Sequence, residues 1–285
     1  MSRSEHPNAF QLPSGSPVPR LGQGAWQIGE DRRKRAEELK TLQVGVDLGL
    51  TLIDTAEMYG NGGSEELVAD AIEGRRGQVY LVSKVLPQNA SRHGTIAACE
   101  RSLKRLRTDY LDLYLLHWQG SVPLEETLEA FVALRDRGSI RHFGVSNFDR
   151  ADLDEAASLS GGSGIATNQV LYNVEQRGIE WELLPWCRTH GMPVMAYSPL
   201  GSDSRRLRTH PFLKTMAARL SATPARIALA WLLHQPDIVV IPKASSEAHV
   251  RDNHAALELT LTAADLAEID AAFPPPKRAT PLAMI

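Results

Sequence analysis

The sequence feature that most constrains the fold is a short apolar segment that recurs at intervals of about 30 residues, the length of a βα unit, with a longer interval before the last one. Each segment is rich in aliphatic or β-branched residues, and a stretch with the apolar spacing of a helix follows it. The predicted strands are 22–26, 51–53, 79–83, 110–116, 141–145, 165–167, 193–196 and 238–241. Strands that are apolar throughout indicate a sheet covered by helices on both faces, as in parallel α/β folds.

Eight strand–helix units favour a (β/α)8 TIM barrel, a fold that usually takes about 250 residues. The alternative is an open doubly wound sheet, but no Gly-x-Gly-x-x-Gly turn follows any predicted strand. Turn residues at 13–17 lie between two short extended stretches and predict a β-hairpin before the first strand. We therefore predict an α/β protein with a single domain over residues 1–285, a (β/α)8 barrel with an N-terminal β-hairpin.

The composition argues against several classes of function. The formal net charge is −3, which does not suit a nucleic-acid surface or an anionic membrane surface. Segment 1–19 lacks the apolar core of an export signal, and no apolar run reaches the roughly 18 residues of a membrane span. Cys99 and Cys187 are far apart, so neither a zinc site nor a disulfide framework is indicated. We expect a cytoplasmic monomer that binds a small molecule, with no nucleic acid or membrane as partner.

Polar side chains stand at the carboxyl ends of the predicted strands, and in a (β/α)8 barrel these ends share the face that carries the active site. They are Asp54, Lys84, His117, Ser146, Gln169, Tyr197 and Lys243. Any one of them alone has an ordinary structural explanation as a turn residue, a surface charge or a core histidine. An Asp, a Lys and a His that close three successive apolar strands are unfavourable unless they pair. The set therefore predicts a functional site at this rim.

Tyr59, in the loop after Asp54, adds a proton donor to this rim. A phenol with a solution pKa near 10 is a poor donor at neutral pH, but the ammonium of Lys84 nearby favours the phenolate, and Asp54 keeps that lysine charged. Tyr59 is thus a candidate general acid, with His117 orienting a substrate oxygen. No Ser or Cys nucleophile and no cluster of metal ligands accompanies them, so we expect no metal and a separate source of electrons.

These residues carry a resemblance to the aldo-keto reductases. The stretch 54–60 reads Asp-Thr-Ala-Glu-x-Tyr-Gly, and Lys84 after Tyr-Leu-Val-Ser and His117 after Asp-Leu-Tyr-Leu-Leu complete that family's Asp-Tyr-Lys-His tetrad. The similarity runs from about residue 17 to 273 and includes the segments 144–148, 168–169, 196–201 and 241–243. It implies a barrel that binds NADPH without a Rossmann domain, with NADH as a second candidate. It also implies hydride transfer from the nicotinamide to a carbonyl carbon, with Tyr59 protonating the oxygen.

The resemblance also assigns cofactor contacts by matching position. From the nicotinamide towards the adenine, they are Asp54 at the ribose, Ser146, Asn147 and Gln169 at the carboxamide, Tyr197 on the ring, Ser198, Leu200 and Gly201 at the pyrophosphate, Lys243, Ala244, Ser245 and His249 at the 2′-phosphate, and Asp252 and Asn253 at the adenine. One departure concerns the 2′-phosphate: many relatives have an Arg where this chain has His249, and Ala244 replaces a common Ser. A histidine is mostly neutral near pH 7, so we expect NADPH to be preferred to NADH by less than in those relatives.

On the substrate side, Trp26 and Trp118 stand just beyond two strand ends, where the resembling enzymes place apolar walls of the carbonyl pocket. Ordinary packing at the rim is the alternative for both. The short loop 118–122 and the short segment after residue 273 favour an open pocket, hence small aldehydes and 2-oxoaldehydes such as methylglyoxal. A different class of function is an NADPH-sensing binding protein, as in β subunits of some potassium channels, but no segment of the sequence marks a partner surface.

Overall fold

The computed structural model describes residues 9–12 and 17–285. Within these residues, eight parallel strands form one sheet in sequence order, and a separate antiparallel hairpin precedes it. The hairpin consists of β1 (Ala9–Gln11) and β2 (Pro17–Pro19). The parallel strands are β3 (Gly22–Gly24), β4 (Leu52–Asp54), β5 (Tyr80–Val85), β6 (Leu111–Leu116), β7 (Ile140–Ser146), β8 (Ile165–Leu171), β9 (Val194–Tyr197) and β10 (Ile238–Val240).

Hydrogen bonds join the first and last strands of this sheet. The amide of Val240 donates to the carbonyl oxygen of Arg20 at 2.8 Å, and that of Gly24 donates to Pro242 at 3.0 Å. A Cβ on Gly24 would lie 2.8 Å from the carbonyl oxygen of Ile241, so this close approach requires glycine. The joined edges confirm the predicted (β/α)8 TIM barrel and exclude the open doubly wound sheet. The antiparallel pairing confirms the N-terminal β-hairpin, although most of its predicted turn, 13–16, lies outside the described residues.

At least one helix follows each strand of the barrel. They are α1 (Arg35–Asp47), α2 (Gly63–Ala71), α3 (Arg92–Leu106), α4 (Leu124–Asp136), α5 (Arg150–Ser158), α6 (Leu183–Thr189), α7 (Ser204–Thr209), α8 (Pro211–Leu220), α9 (Pro224–His234), α10 (Glu247–His254) and α11 (Ala263–Ala272). The helices α7, α8 and α9 all follow β9, which accounts for the longer interval before the last strand. In the part of the chain that the structure describes, no helix is both long enough and apolar enough to cross a membrane.

Side chains alternate between two apolar layers along each strand, as the pleat of a strand requires. On β6, Leu113 and Leu115 point into the barrel, whereas Tyr114 packs between the sheet and the helices. Leu12 and Val18 of the hairpin belong to the inner layer. Because β2 ends just before β3 begins, the hairpin covers the amino end of the barrel. The carboxyl end is left for the polar residues of the strand ends.

Several predicted boundaries were wrong by a few residues. The strand predicted at 165–167 continues to Leu171, so Asn168 and Gln169 lie within β8, where they pair with Val194 and Met195 of β9. The cause is that polar residues end the apolar run in the sequence, whereas their backbone continues the ladder with β9.

Ser64 lies at the start of helix α2 but does not cap it. Gly62 precedes the helix in a left-handed conformation, with φ of 94° and no side-chain cap. Ser64 lies inside the first turn, where its hydroxyl donates to the carbonyl oxygen of Ala25 at 3.0 Å and lies 2.9 Å from the hydroxyl of Thr55. The residue therefore ties the loops after β3 and β4 together at the rim.

Candidate active site

A buried ion pair joins the ends of the neighbouring strands β4 and β5. The Nζ atom of Lys84 donates to Oδ2 of Asp54 at 2.7 Å and to the carbonyl oxygen of Thr55 at 2.9 Å. Lys84 is 0% exposed and Asp54 is 3% exposed. Burial alone would lower the pKa of Lys84, but the charge of Asp54 and the bonds to Asp54 and Tyr59 raise it above its ordinary value. The lysine therefore stays charged at neutral pH.

Tyr59 lies in a 3₁₀ turn (Tyr59–Gly62) between β4 and α2. Gly60 and Asn61 have φ of 58° and 52°, and this left-handed pair turns the chain back over the ion pair. The hydroxyl of Tyr59 accepts a hydrogen bond from Nζ of Lys84 at 3.2 Å. Burial raises the pKa of Tyr59, the charge of Lys84 opposes this, and the balance lies above the ordinary value. Lys84 thus acts in the direction expected from the sequence, but burial outweighs it, and Tyr59 is a protonated phenol at neutral pH, as a proton donor must be.

His117 follows β6 and completes the group. Its ring centroid lies 5.8 Å from that of Tyr59, and the two rings are almost perpendicular. Burial and then the charge of Lys84 lower the pKa of His117 to about 3. Its Nδ1 atom is buried and has no hydrogen-bond partner among the described residues. The imidazole is therefore neutral at physiological pH, and it has one N–H to donate to a substrate oxygen.

The strand ends beyond this group are joined by hydrogen bonds of their own. The hydroxyl of Ser146 donates to the carbonyl oxygen of Gln169 at 2.9 Å, and Nδ2 of Asn147 donates to that of His117 at 3.1 Å. The hydroxyl of Tyr197 donates to Oδ1 of Asn147 at 2.9 Å, and burial raises the pKa of Tyr197 to about 12. These bonds fix the side chains of Ser146, Asn147 and Tyr197 at the ends of β7 and β9.

Gln169 connects the two sets of residues. Its Nε2 atom donates to Oδ1 of Asp54 at 2.8 Å, while Oδ2 of the same carboxylate accepts from Lys84. Both oxygens of Asp54 are thus bonded, and its charge is held in one orientation. Because Lys84 also bonds to Tyr59, a substitution of Gln169 or Asp54 would alter the hydrogen bonds around the Tyr59 hydroxyl.

A cavity of about 970 Å³ opens above the carboxyl ends of the strands. The sequence-predicted residues that line it are Trp26, Asp54, Tyr59, His117, Trp118, Ser146, Asn147, Gln169, Tyr197, Ser198, Leu200, Gly201, Lys243, Ser245, His249, Asp252 and Asn253. Two predicted residues lie elsewhere. Lys84 is fully buried beneath Tyr59, and Ala244 packs in the apolar layer between the sheet and the helices. The position of Ala244 does not favour the cofactor contact predicted for it.

Other residues of the cavity lining were not predicted from the sequence, above all Arg208, Met284 and Ile285. Arg208 lies on α7, in a polar segment between β9 and α8. The segment after Phe273 runs back to the cavity, where Met284 and Ile285 join the lining on the side of Tyr197. The expectation that this short segment leaves the pocket open was therefore wrong on that side. No periodicity marks 284–285, whereas the arginines between β9 and α8 were a signal that could have been weighed.

The fold and the site define a class: a (β/α)8 barrel whose rim holds a buried acid–lysine–tyrosine relay beside a long cavity, the arrangement of a carbonyl oxidoreductase. The sequence profile of the Aldo/keto reductase family matches residues 20–273. The chain belongs to the aldo/keto reductase family and is an oxidoreductase of that family. This confirms the resemblance carried by the tetrad.

Individual relatives agree with this membership. The chain is 50% identical to methylglyoxal reductase YeaE of Escherichia coli (strain K12), over 94% of this chain and 95% of that protein. An aldo/keto reductase from Klebsiella pneumoniae, solved in complex with NADP and acetate, superposes with a TM-score of 0.95 at 46% identity, covering 98% and 99% of the two chains. An aldo-keto reductase from the same organism, solved with NADPH, gives 0.94 at 47% identity with the same coverage.

Proposed function

We propose that this protein is an NADPH-dependent carbonyl reductase that converts aldehydes and 2-oxoaldehydes, methylglyoxal among them, to alcohols. The observation that carries the proposal is the Asp54–Lys84–Tyr59 relay, which presents a protonated phenol to the cavity. The relative named methylglyoxal reductase and the neighbours solved with NADP and NADPH support the substrate class and the cofactor.

The chemistry of the cavity fits a phosphorylated dinucleotide. Its volume of about 970 Å³ is at the upper end of the range for ligand pockets. Asn253 is 4% exposed and lines the cavity, yet its side chain makes no hydrogen bond within the described part of the chain, so its amide is available to a ligand. Lys243 and Arg208 supply cations for phosphates. We infer that the amides at the ends of β7 and β8 hold the nicotinamide end and that Asn253 holds the adenine end.

The protein's own part in the reaction is the handling of one proton. Amino-acid side chains do not donate hydride, and the reduced nicotinamide supplies it when bound. Tyr59 gives its proton to the carbonyl oxygen, and the phenolate left behind is stabilised by the ammonium of Lys84. Asp54 holds that ammonium in place, and the neutral imidazole of His117 donates an N–H to orient the same oxygen.

The mouth of the cavity suits small carbonyl compounds. Trp118 packs against His117 with ring centroids 4.8 Å apart, and Trp26 and Met58 are 40% and 38% exposed at the same opening. Together with Met284 they surround the donor groups with apolar surface. Such a surface excludes water around a small carbonyl group but has few polar groups with which to recognise a large sugar.

A screen of NADPH oxidation across aldehydes, 2-oxoaldehydes, ketones and sugars tests the proposal. We expect the highest kcat/KM for aldehydes and 2-oxoaldehydes, with the corresponding alcohol as product. Tight NADPH binding without steady-state turnover on any member of the panel would instead favour a cofactor-sensing binding protein.

A further inference from the structure

A cluster of three residues from separate elements lines the cavity away from Tyr59: Arg208 on α7, Ser245 after β10 and His249 on α10. The Nη1 atom of Arg208 lies 3.5 Å from Nε2 of His249. The hydroxyl of Ser245 lies 3.2 Å from Nδ1 of the same ring. The imidazole thus stands between a guanidinium and a hydroxyl, and we refer to these residues as the Arg208 cluster.

The hydrogen-bonding chemistry of the Arg208 cluster fixes the role of each member. A guanidinium has donors only, so Nε2 of His249 accepts from Arg208. The ring proton is then on Nδ1 and points to the hydroxyl of Ser245. His249 contributes an acceptor that orients the arginine, and the permanent positive charge of the cluster comes from Arg208.

The position of Tyr59 in the cavity indicates which part of a bound dinucleotide would contact the Arg208 cluster. Hydride transfer to a carbonyl carbon whose oxygen meets Tyr59 and His117 would place the nicotinamide beside these two residues. The rest of the molecule must then extend towards the other lining residues, where the unsatisfied amide of Asn253 lies one helical turn beyond His249 on α10. The Arg208 cluster is therefore at the adenosine end, where NADPH carries a 2′-phosphate and NADH carries a hydroxyl.

Two other cations lie near this end. The Nζ atom of Lys243 lies 3.4 Å from both the carbonyl oxygen and Oε1 of Gln27, so it faces the loop after β3, and Lys243 also lines the cavity. The guanidinium of Arg226 donates to Asp252 at 2.8 Å. Arg208 adds a guanidinium to Lys243 in the lining, and a 2′-phosphate dianion carries enough charge for both cations.

We propose that Arg208 selects NADPH over NADH by binding the 2′-phosphate, with His249 and Ser245 as positioning residues. The proposal rests on the proposed use of a nicotinamide dinucleotide by this cavity. It replaces the expectation that His249 weakens the preference for NADPH: the charge that His249 does not supply comes from a different element. A guanidinium also matches a phosphate in a bidentate manner, which a single lysine does not.

Direct binding of NADP+ and NAD+ to the full chain tests the proposal, with quenching of tryptophan fluorescence as the signal because Trp26 and Trp118 line the cavity. We expect Arg208→Ala to raise the Kd of NADP+ by about tenfold or more, the usual effect of losing a hydrogen bond to a charged group, and to leave the Kd of NAD+ unchanged. The probe 2′,5′-ADP should weaken in parallel, whereas 5′-AMP should not.

Arg205→Ala is the matched control, because Arg205 lies on the same helix, is exposed and makes no side-chain ion pair among the described residues. It should leave both Kd values at the wild-type level. Equal losses for NADP+ and NAD+ in Arg208→Ala, or no loss for either, would overturn the assignment of Arg208 while the proposed function stands. Failure of the wild-type chain to bind either dinucleotide would overturn the proposed function itself.

Discussion

Opposing effects set the protonation of Tyr59. Burial raises its pKa, and the charge of Lys84, 3.2 Å from the hydroxyl, acts in the other direction without reversing the balance. The phenol therefore keeps its proton until a substrate oxygen takes it. Once the proton has left, the same lysine stabilises the phenolate. A donor that is protonated at rest and has a stabilised conjugate base is what general acid catalysis needs.

Replacing Tyr59 with Phe removes this donor and leaves the aromatic ring. We expect kcat for methylglyoxal to fall by about 10²- to 10⁴-fold, the usual contribution of a general acid, with the Kd of NADPH nearly unchanged. Tyr114→Phe is the control, since its buried hydroxyl has no partner in the described structure and lies outside the cavity. Near-wild-type kcat in Tyr59→Phe would show that the acid has been assigned to the wrong residue.

The burial of His117 makes the free energy of unfolding depend on pH in the acid range. Its pKa is about 3 in the folded protein, whereas an unfolded histidine titrates near about 6.5. Between these values the unfolded chain binds more protons at this position, so the free energy of unfolding falls as the pH falls through that window, by up to about 1.4 kcal/mol per pH unit. Urea unfolding at a series of pH values should show a shallower acid decline for His117→Asn than for the wild type. Parallel curves would contradict the buried neutral imidazole.

At the scale of elements, the site depends on how closely β3 approaches the segment after β10. The amide of Gly24 donates a hydrogen bond to Pro242 where the two segments meet. This contact brings the loop after β3 beside Lys243. Gly24 also lines the cavity, so the same contact closes the barrel and shapes the site. A side chain at this position would push these two segments apart.

Gly24→Ala should therefore destabilise the protein. Its Cβ would lie 2.8 Å from a backbone oxygen that cannot rotate away, and such overpacking costs about 1–3 kcal/mol. At Gly77 an added Cβ would meet no described atom within 4 Å, so Gly77→Ala should change the free energy of unfolding by less than about 0.5 kcal/mol. Equal urea midpoints for the two variants would mean that the barrel edges can separate without loss of stability.

At the scale of the whole molecule, two features could be predicted from the sequence: the repeated strand–helix units, and the charged residues at the strand ends that must pair when they are buried. The interval between apolar segments predicted the barrel, and the rule that strand ends share one face predicted that Asp54, Lys84 and His117 would meet. Tyr59 could be added to this predicted site because it lies in the loop directly after Asp54. These inferences depend on local patterns and on one topological rule, and both are properties that a sequence contains.

Other parts of the site depend on packing and could not be predicted. The direction of the pKa shift of Tyr59 follows from burial, which outweighs the charge of Lys84. Ala244 turned out to face the core because the chain turns after β10. Arg208 and Ile285 reach the cavity through segments without periodic pattern, and the position of such segments is set by the surfaces against which they pack.

The residues that line the cavity come from segments between β3 and the last residues of the chain. A bound ligand should therefore stabilise the folded protein. A ligand that contacts the ends of β4, β8 and β9 and also α10 connects elements that otherwise meet mainly through the barrel. Because such a ligand binds the folded chain alone, NADP+ at about 100 times its Kd should raise the free energy of unfolding by about 2.7 kcal/mol. Urea unfolding with and without NADP+ measures this directly. At the same concentration 5′-AMP should stabilise far less, since it has neither a nicotinamide to contact the relay nor a 2′-phosphate to contact the Arg208 cluster. An equal shift with both nucleotides would mean that the adenosine end alone accounts for binding, and that the strand ends around Tyr59 contribute nothing to it.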